Sequence, residues 1–428
     1  RVESFVAFTS RTRVPIMACT GPHANPVLMT GKNRLAPGHG DFTCCCRGHV
    51  IDGHSIPCDR ERLKPVMERM LAAAVSHRAD SGDARGSRFF FCCQNGLLSG
   101  MPTGASRQAF VARPVDQVLA FRQGLRWAQE DAVAAKTSGG MTLLHWAALA
   151  GNTAVVAKLL EEQGPEGLEA AEIHGFREFG IPAGCRPLHL AAFGAPDSHH
   201  VSALLLEARA HAGARVLGRH MSASAAYVAA SYGSIEAARW WIEHHPFMLQ
   251  ERNPFGGTSS FTTAALLRCS ASDMLAELLH LRACPRTGSG QHARRDAALL
   301  NVCLKEDSDP AAVVLLLEAR CSPDVAVAPP WLSWRAKFRG CRLKHRLTGC
   351  GKPGSLIGIM VQFQGSTPLH LAAFRGDVAV VKVLLAGRAD IARRNIMGNT
   401  PLQLAAWNFG GDVPEPLAEL FAQPEFLS

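Results

Sequence analysis

Two stretches of this chain repeat each other at the spacing of one short structural unit. Gly365-Ser366-Thr367-Pro368-Leu369-His370-Leu371-Ala372-Ala373 is followed by Gly398-Asn399-Thr400-Pro401-Leu402-Gln403-Leu404-Ala405-Ala406, so His370 and Gln403 lie 33 residues apart. A period of this length belongs to units that cannot bury their own apolar face and must stack on copies of themselves. The same frame recurs at Met141-Thr142-Leu143-Leu144-His145-Trp146-Ala147-Ala148 and at Cys185-Arg186-Pro187-Leu188-His189-Leu190-Ala191-Ala192.

Each residue type in the frame has a physical task. Thr caps the first helix, Pro suits its first turn and Leu opens the apolar stripe. The histidine at the fourth position can bond nearby backbone. Paired alanines let two short helices approach closely, and Gly376 can end the first helix at positive φ. Val380, Val381, Val383, Leu384 and Leu385 then supply a second apolar helix.

These segments resemble the ankyrin repeat signature. The resemblance implies a mainly α fold: an ankyrin-type solenoid of helix-turn-helix repeats with short β-hairpins. Weaker copies follow the same frame, with Tyr227, Phe261 and Leu300 in the histidine slot. Ala336-Lys337-Phe338-Arg339-Gly340 matches Ala372-Ala373-Phe374-Arg375-Gly376, which puts Trp334 in that slot and makes 323–363 a degenerate repeat. The slots His145, His189, Tyr227, Phe261, Leu300, Trp334, His370 and Gln403 then step by 44, 38, 34, 39, 34, 36 and 33 residues. About eight repeats are expected over residues 108–428. A half-repeat begins them with a second helix through Val115, Val118, Leu119 and Leu125, and the longest insertion lies between Glu161 and Ala183.

Residues 1–107 lack the repeat and are rich in Gly, Pro, Ser, Arg and Cys. They are expected to form a largely irregular extension with one amphipathic helix, marked by Leu63, Val66, Met67, Met70, Leu71, Ala74 and Val75. Phe89-Phe90-Phe91 is a short apolar run within it.

Composition narrows the function classes. A hydrophobic fraction of 47% and a charged fraction of 19% are those of a folded chain. The net charge of +9 is spread over many arginines and only weakly favours acidic partners. The runs Cys44-Cys45-Cys46 and Cys92-Cys93 suit a reducing compartment, cytoplasmic or nuclear, better than a disulfide framework. No apolar run reaches the roughly 18 residues of a membrane helix. The chain begins with Arg and not Met, so the expectation is a fragment or an imperfectly predicted product whose true N-terminus lies elsewhere.

Candidate chemistry is sparse. Cys44, Cys45, Cys46, His49, His54 and Cys58 carry zinc-ligand types, but no paired Cys-x2-Cys spacing accompanies them, so reduced thiols are the expected reading and no metal site is expected. No phosphate-cradling loop, nucleophile elbow or His-Glu-x2-His motif is present, so no enzyme activity and no cofactor is expected. From Trp331 to Lys352 the chain holds Arg335, Lys337, Arg339, Arg342, Lys344, Arg346 and Lys352 with no Asp or Glu. Such a segment is either the solvated face of a repeat or a basic amphipathic helix for nucleic acid, anionic lipid or a calmodulin-like partner.

The ankyrin resemblance implies a scaffold or adaptor that binds protein partners through hairpin tips and a groove along the first helices. By motif position the tips are Gln250, Glu251, Arg252 and Phe255, and Arg393, Arg394, Ile396 and Met397. The groove positions are Phe374, Arg375, Trp407, Asn408 and Phe409.

Overall fold

A computed structural model describes residues 16–18, 27–29, 48–51, 53–56, 58–98, 101, 114–132, 140–164, 167–171, 174–175, 181–193, 198–218, 221–246, 259–267, 271–281, 290–305, 308–327, 332–348 and 356–423. Two compact units divide the chain, one of residues 1–18 and 27–244, the other of 19–26 and 245–428.

Among its described residues the first unit holds three antiparallel hairpins. They are β1 (Ile16–Ala18) with β2 (Val27–Met29), β3 (Val50–Ile51) with β4 (His54–Ser55), and β5 (Arg215–Gly218) with β6 (Met221–Ser224). Its helices are α1 (Asp59–Asp80), α2 (Ala84–Leu97), α3 (Pro114–Gly124), α4 (Leu143–Ala150), α5 (Thr153–Gln163), α6 (Pro187–Phe193), α7 (Ser198–Glu207), α8 (Ala225–Tyr232) and α9 (Ile235–His244).

The sequence explains the brevity of the first helices. Thr142 caps α4 and Gly151 ends it in the left-handed region at φ 66°, eight helical residues later. Asn152 then caps α5 by accepting from the Val155 N–H. The alanine pairs Ala147/Ala148, Ala191/Ala192 and Ala229/Ala230 are fully buried, so backbones meet with no side chain between them. Accordingly α4 packs on α6 and α6 on α8, while the second helices α5, α7 and α9 form a parallel row.

This stacking continues upstream of residue 108. α2 packs on α4 and α3 on α5, so α2 and α3 form a layer of their own, and α1 covers the outer side of α2. The expected amphipathic helix is α1, with Met67, Leu71 and Ala74 buried. Phe89-Phe90-Phe91 lies within α2, where Phe89 and Phe90 are buried and Phe91 meets Phe121 of α3 at 5.9 Å. Arg88 joins the pair: Nε donates to Leu125 O at 3.0 Å, and Nη2 to Arg126 O at 3.1 Å and to the Asp131 carboxylate at 2.6 Å. Burial pushes the Asp131 carboxyl up, but hydrogen bonds from Arg88 and the Ala128 N–H outweigh it and hold the pKa below the usual carboxylate value.

The second unit is built from α10 (Ser260–Leu267), α11 (Ala271–His280), α12 (Gly290–Leu304), α13 (Pro310–Glu318), α14 (Leu332–Thr348), α15 (Leu356–Phe363), α16 (Pro368–Arg375), α17 (Val378–Ala386), α18 (Pro401–Asn408) and α19 (Glu415–Ala422). First helices α10, α12, α16 and α18 pack in that order, and second helices α11, α13, α17 and α19 in parallel with them.

Two details correct the sequence frame. Ser259 caps α10 by accepting from the Thr262 N–H, and Thr262 Oγ1 accepts from the Ser259 N–H, so Thr262 and not Phe261 holds the fourth-position slot. Residues 323–363 are not a layer. α12 packs directly on α16 and α13 on α17, with α14 and α15 paired to each other instead. Val327 N–H donates to Ser366 O at 2.8 Å and Gly365 N–H to Val327 O at 3.0 Å, closing a hairpin between adjacent layers. Residues 328–363 are therefore an insertion in the tip of that hairpin, and Trp334 occupies no slot.

Two outcomes test this architecture. Replacing residues 330–352 by an Asn-Gly turn, which removes α14 and keeps α15 with its Gln362 bonds, should leave one cooperative urea transition, with stability changed by no more than about 2 kcal/mol. A true layer removed would instead lower the m-value and split the transition. Arg88→Ala should lower the unfolding free energy by about 2–4 kcal/mol, because it strands two carbonyls and a carboxylate.

Candidate functional site

The fourth-position histidines spend both ring nitrogens on backbone. Nδ1 of His145 accepts from the Thr142 N–H at 3.1 Å, which places the ring proton on Nε2, and Nε2 donates to Ala170 O at 3.0 Å. His189 accepts from the Arg186 N–H and donates to Ala214 O, and His370 accepts from the Thr367 N–H and donates to Asn399 O. Gln403 keeps the first half of this pattern, its Oε1 accepting from the Thr400 N–H at 3.0 Å. Each histidine thus binds a helix start to a carbonyl in the hairpin that follows, leaving no ring nitrogen for acid or base chemistry.

Burial pushes the pKa of His145 and of His189 from the ordinary 6.5 to about 4, and lowers that of His370. Among the described residues no three His, Cys, Asp or Glu side chains gather as metal ligands. Cys44, Cys45 and Cys46 lie outside the described residues. No described helix is long and apolar enough to cross a membrane.

The expected partner-binding positions separate into two kinds. Phe374 is buried, edge-on to Phe363 at 5.1 Å and stacked on Trp407 at 6.3 Å. Arg375 Nη1 donates to Leu304 O and Asn408 Nδ2 to Phe374 O, each one layer back, and the Phe409 ring lies against Gly376. These groove positions are occupied in tying layers together.

The tip residues are different. Arg393, Arg394 and Ile396 are exposed, and Met397 is half-buried. Asn395 holds this tip in shape from within: its Oδ1 accepts from the Met397 and Asn399 N–H groups, and its Nδ2 donates to Gln362 O at 2.8 Å. Gln250, Glu251, Arg252 and Phe255 lie outside the described residues.

The basic segment forms α14. Arg339, Lys344 and Arg346 are exposed and Arg342 is half-buried, whereas the side chains of Arg335 and Lys337 lie outside the described residues. Leu343 and Leu347 are also exposed. Sequence reading found the charge of this helix but not its placement, because the hairpin that lifts it is closed by backbone bonds 39 residues apart, from Val327 to Ser366. The role of Gln362 was missed too. Its Oε1 accepts from Asn399 Nδ2 at 2.8 Å, and no local pattern signals a partner that distant.

The ankyrin repeat family model matches residues 139–168 and 364–396, the segments that carry the Thr-to-His caps of α4 and α16. These two segments are similar to ankyrin repeats. Two solved structures show a weak overall likeness. The ankyrin repeat domain of Bcl-3, described as a unique member of the IkappaB protein family, is 23% identical with a TM-score of 0.38, over 64% of this chain and 98% of that one. The human ASB11 ankyrin repeat domain is 21% identical with a TM-score of 0.42, over 66% of this chain and 100% of that one. No curated protein matches the chain. Ankyrin repeats generally mediate contacts between proteins and are typically non-catalytic.

The buried histidines make the ankyrin stack acid-sensitive. An unfolded chain takes up a proton near pH 6.5, whereas folded His145 and His189 resist it down to about 4. Their stabilisation is whole above pH 6.5 and is lost as pH falls through the folded value. Urea titrations at pH 7 and pH 5 should differ by about 2 kcal/mol for each such histidine. The difference should shrink in His145→Gln and His189→Gln, and an unchanged pH slope in both variants would refute the assignment.

Proposed function

We propose that this chain is a non-enzymatic scaffold that holds protein partners on its hairpin tips. The observation that carries the reading is the tip around Asn395. Its backbone is fixed by internal bonds, Arg393 and Ile396 are exposed, and the exposed Arg394 is held across the tip by donating to Gly398 O at 2.7 Å. Arginine and a large aliphatic on a preformed loop suit a binding anchor, since little ordering remains to be done on association.

The groove positions Phe374, Arg375, Trp407, Asn408 and Phe409 contribute mainly by fixing the layers, so specificity belongs to the tips. The tip residues Gln250, Glu251, Arg252 and Phe255 are proposed to serve in the same way by their place in the repeat. Cysteine usage supports work in a reducing compartment, cytoplasm or nucleus.

The test compares the full chain with an Arg393→Glu, Arg394→Glu, Ile396→Asp variant as baits in quantitative affinity capture. Partners should drop by about tenfold or more with the variant, while its circular dichroism stays that of the parent. Recovery of the same proteins in the same amounts by both baits would remove the tip from the interface.

A further inference from the structure

We infer that α14 is a docking helix received by an acidic-rimmed apolar cleft of a partner protein, with Leu343 and Leu347 as the inserted side chains. This rests on the scaffold reading and names the chemistry of one partner. Leu343 and Leu347 are 59% and 74% exposed, the two most exposed large apolar side chains among the described residues. Four residues apart, they lie on one face of the helix. Arg339 and Arg346 border them on that face, both exposed. Gly340 leaves the neighbouring position open, since nothing lies within 4 Å of where a Cβ there would sit.

The rest of the second unit explains why this face is presented and not folded away. The opposite side of α14, with Cys341 and His345 half-buried, packs with α15. α15 is in turn locked to the next tip, where Gln362 takes hydrogen bonds from Asn395 and Asn399 and Gln364 O accepts from the Ile396 N–H. Phe363 adds an edge-on contact with Phe374. The helix is thus held out from the layers on a braced support.

Charge fixes the kind of partner. From Val325 to Gly376 the chain has no Asp or Glu. The acidic residues nearest in the adjoining hairpins are engaged: Asp324 accepts from the Asp390 N–H, and Asp390 from the Ala392 N–H. A phosphate backbone would meet the cations but leave both leucines in water. A membrane-surface helix needs a broad apolar face, whereas α15 takes the other side, and among the described side chains of α14 only Leu343 and Leu347 are large, apolar and exposed. A narrow cleft with acidic edges uses both features together.

Calcium-loaded calmodulin, a protein whose apolar clefts have acidic rims, serves as the probe against the full chain. Leu343→Ala with Leu347→Ala should weaken binding by about tenfold or more, while binding of polyglutamate, which senses charge alone, stays unchanged. Arg339→Gln with Arg346→Gln should weaken both, and chelating the calcium should abolish the calmodulin signal. The proposal is overturned if calmodulin does not bind, or if the double leucine variant binds it like the parent. It is equally overturned if phosphatidylserine-containing vesicles or a DNA duplex bind more tightly with no dependence on the leucines. The Arg393, Arg394, Ile396 variant, assayed beside these, reads the scaffold proposal separately, since its captured partners can be lost or kept whatever α14 does.

Discussion

The structure depends on how closely its short first helices approach one another. Ala147, Ala148, Ala191, Ala192, Ala372 and Ala373 are all fully buried, and a larger side chain at any of them would push two layers apart. That closeness sets everything around it. It makes the second helix lie alongside the first and leaves tip residues such as Arg393, Arg394 and Ile396 exposed. Stability is then a sum of layers and their interfaces, so an insertion between two layers would break the sum, whereas an insertion in a hairpin leaves it whole.

The buried histidines add direction to this packing. A carbonyl in the following hairpin receives Nε2–H, and the helix start gives its N–H to Nδ1, so each ring spans the join between two repeats. A neutral ring satisfies both neighbours, while a second ring proton would face a backbone N–H that cannot turn away. The same residue that makes the motif recognisable therefore makes it sensitive to acid. Where the slot holds Thr262 or Gln403, the helix start is still satisfied by a side-chain oxygen that does not titrate.

Much of this fold was legible in the sequence because the cap, the alanine pair and the second apolar helix are local. Thr367 to Ala373 states all of the first helix in seven residues. The legibility failed where a layer kept its packing but changed its residues. α2 buries Phe89 and Phe90 and has no alanine pair, and Arg88 rather than a histidine bonds the carbonyls beyond α3, so nothing in it matched the repeat. At α10 the run Ser259-Ser260-Phe261-Thr262-Thr263 offers two adjacent hydroxyl pairs, and only the cap geometry picks the register. The opposite error arose at Trp334, where a likeness of five residues at near-repeat spacing lay in a helix with no Thr cap and no alanine pair. The candidate tip was readable as a position, but its shape was not, since Asn395 and Gln362 act on each other from 33 residues apart.

The insertion follows from the same division of labour. Extending a hairpin tip from a few residues to the 36 of 328–363 raises the closure entropy by about 2 kcal/mol, because that term grows only with the logarithm of length. The buried amides of Gln362 and Asn395 and the edge-on Phe363 offset part of this by fixing α15 to its neighbour. Among the described residues of α14 none is buried, and Leu343 and Leu347 stand in water beside arginines in a segment that holds no Asp or Glu. The exposure of Leu343 and Leu347 beside Arg339 and Arg346 is the feature on which the docking proposal for this helix rests.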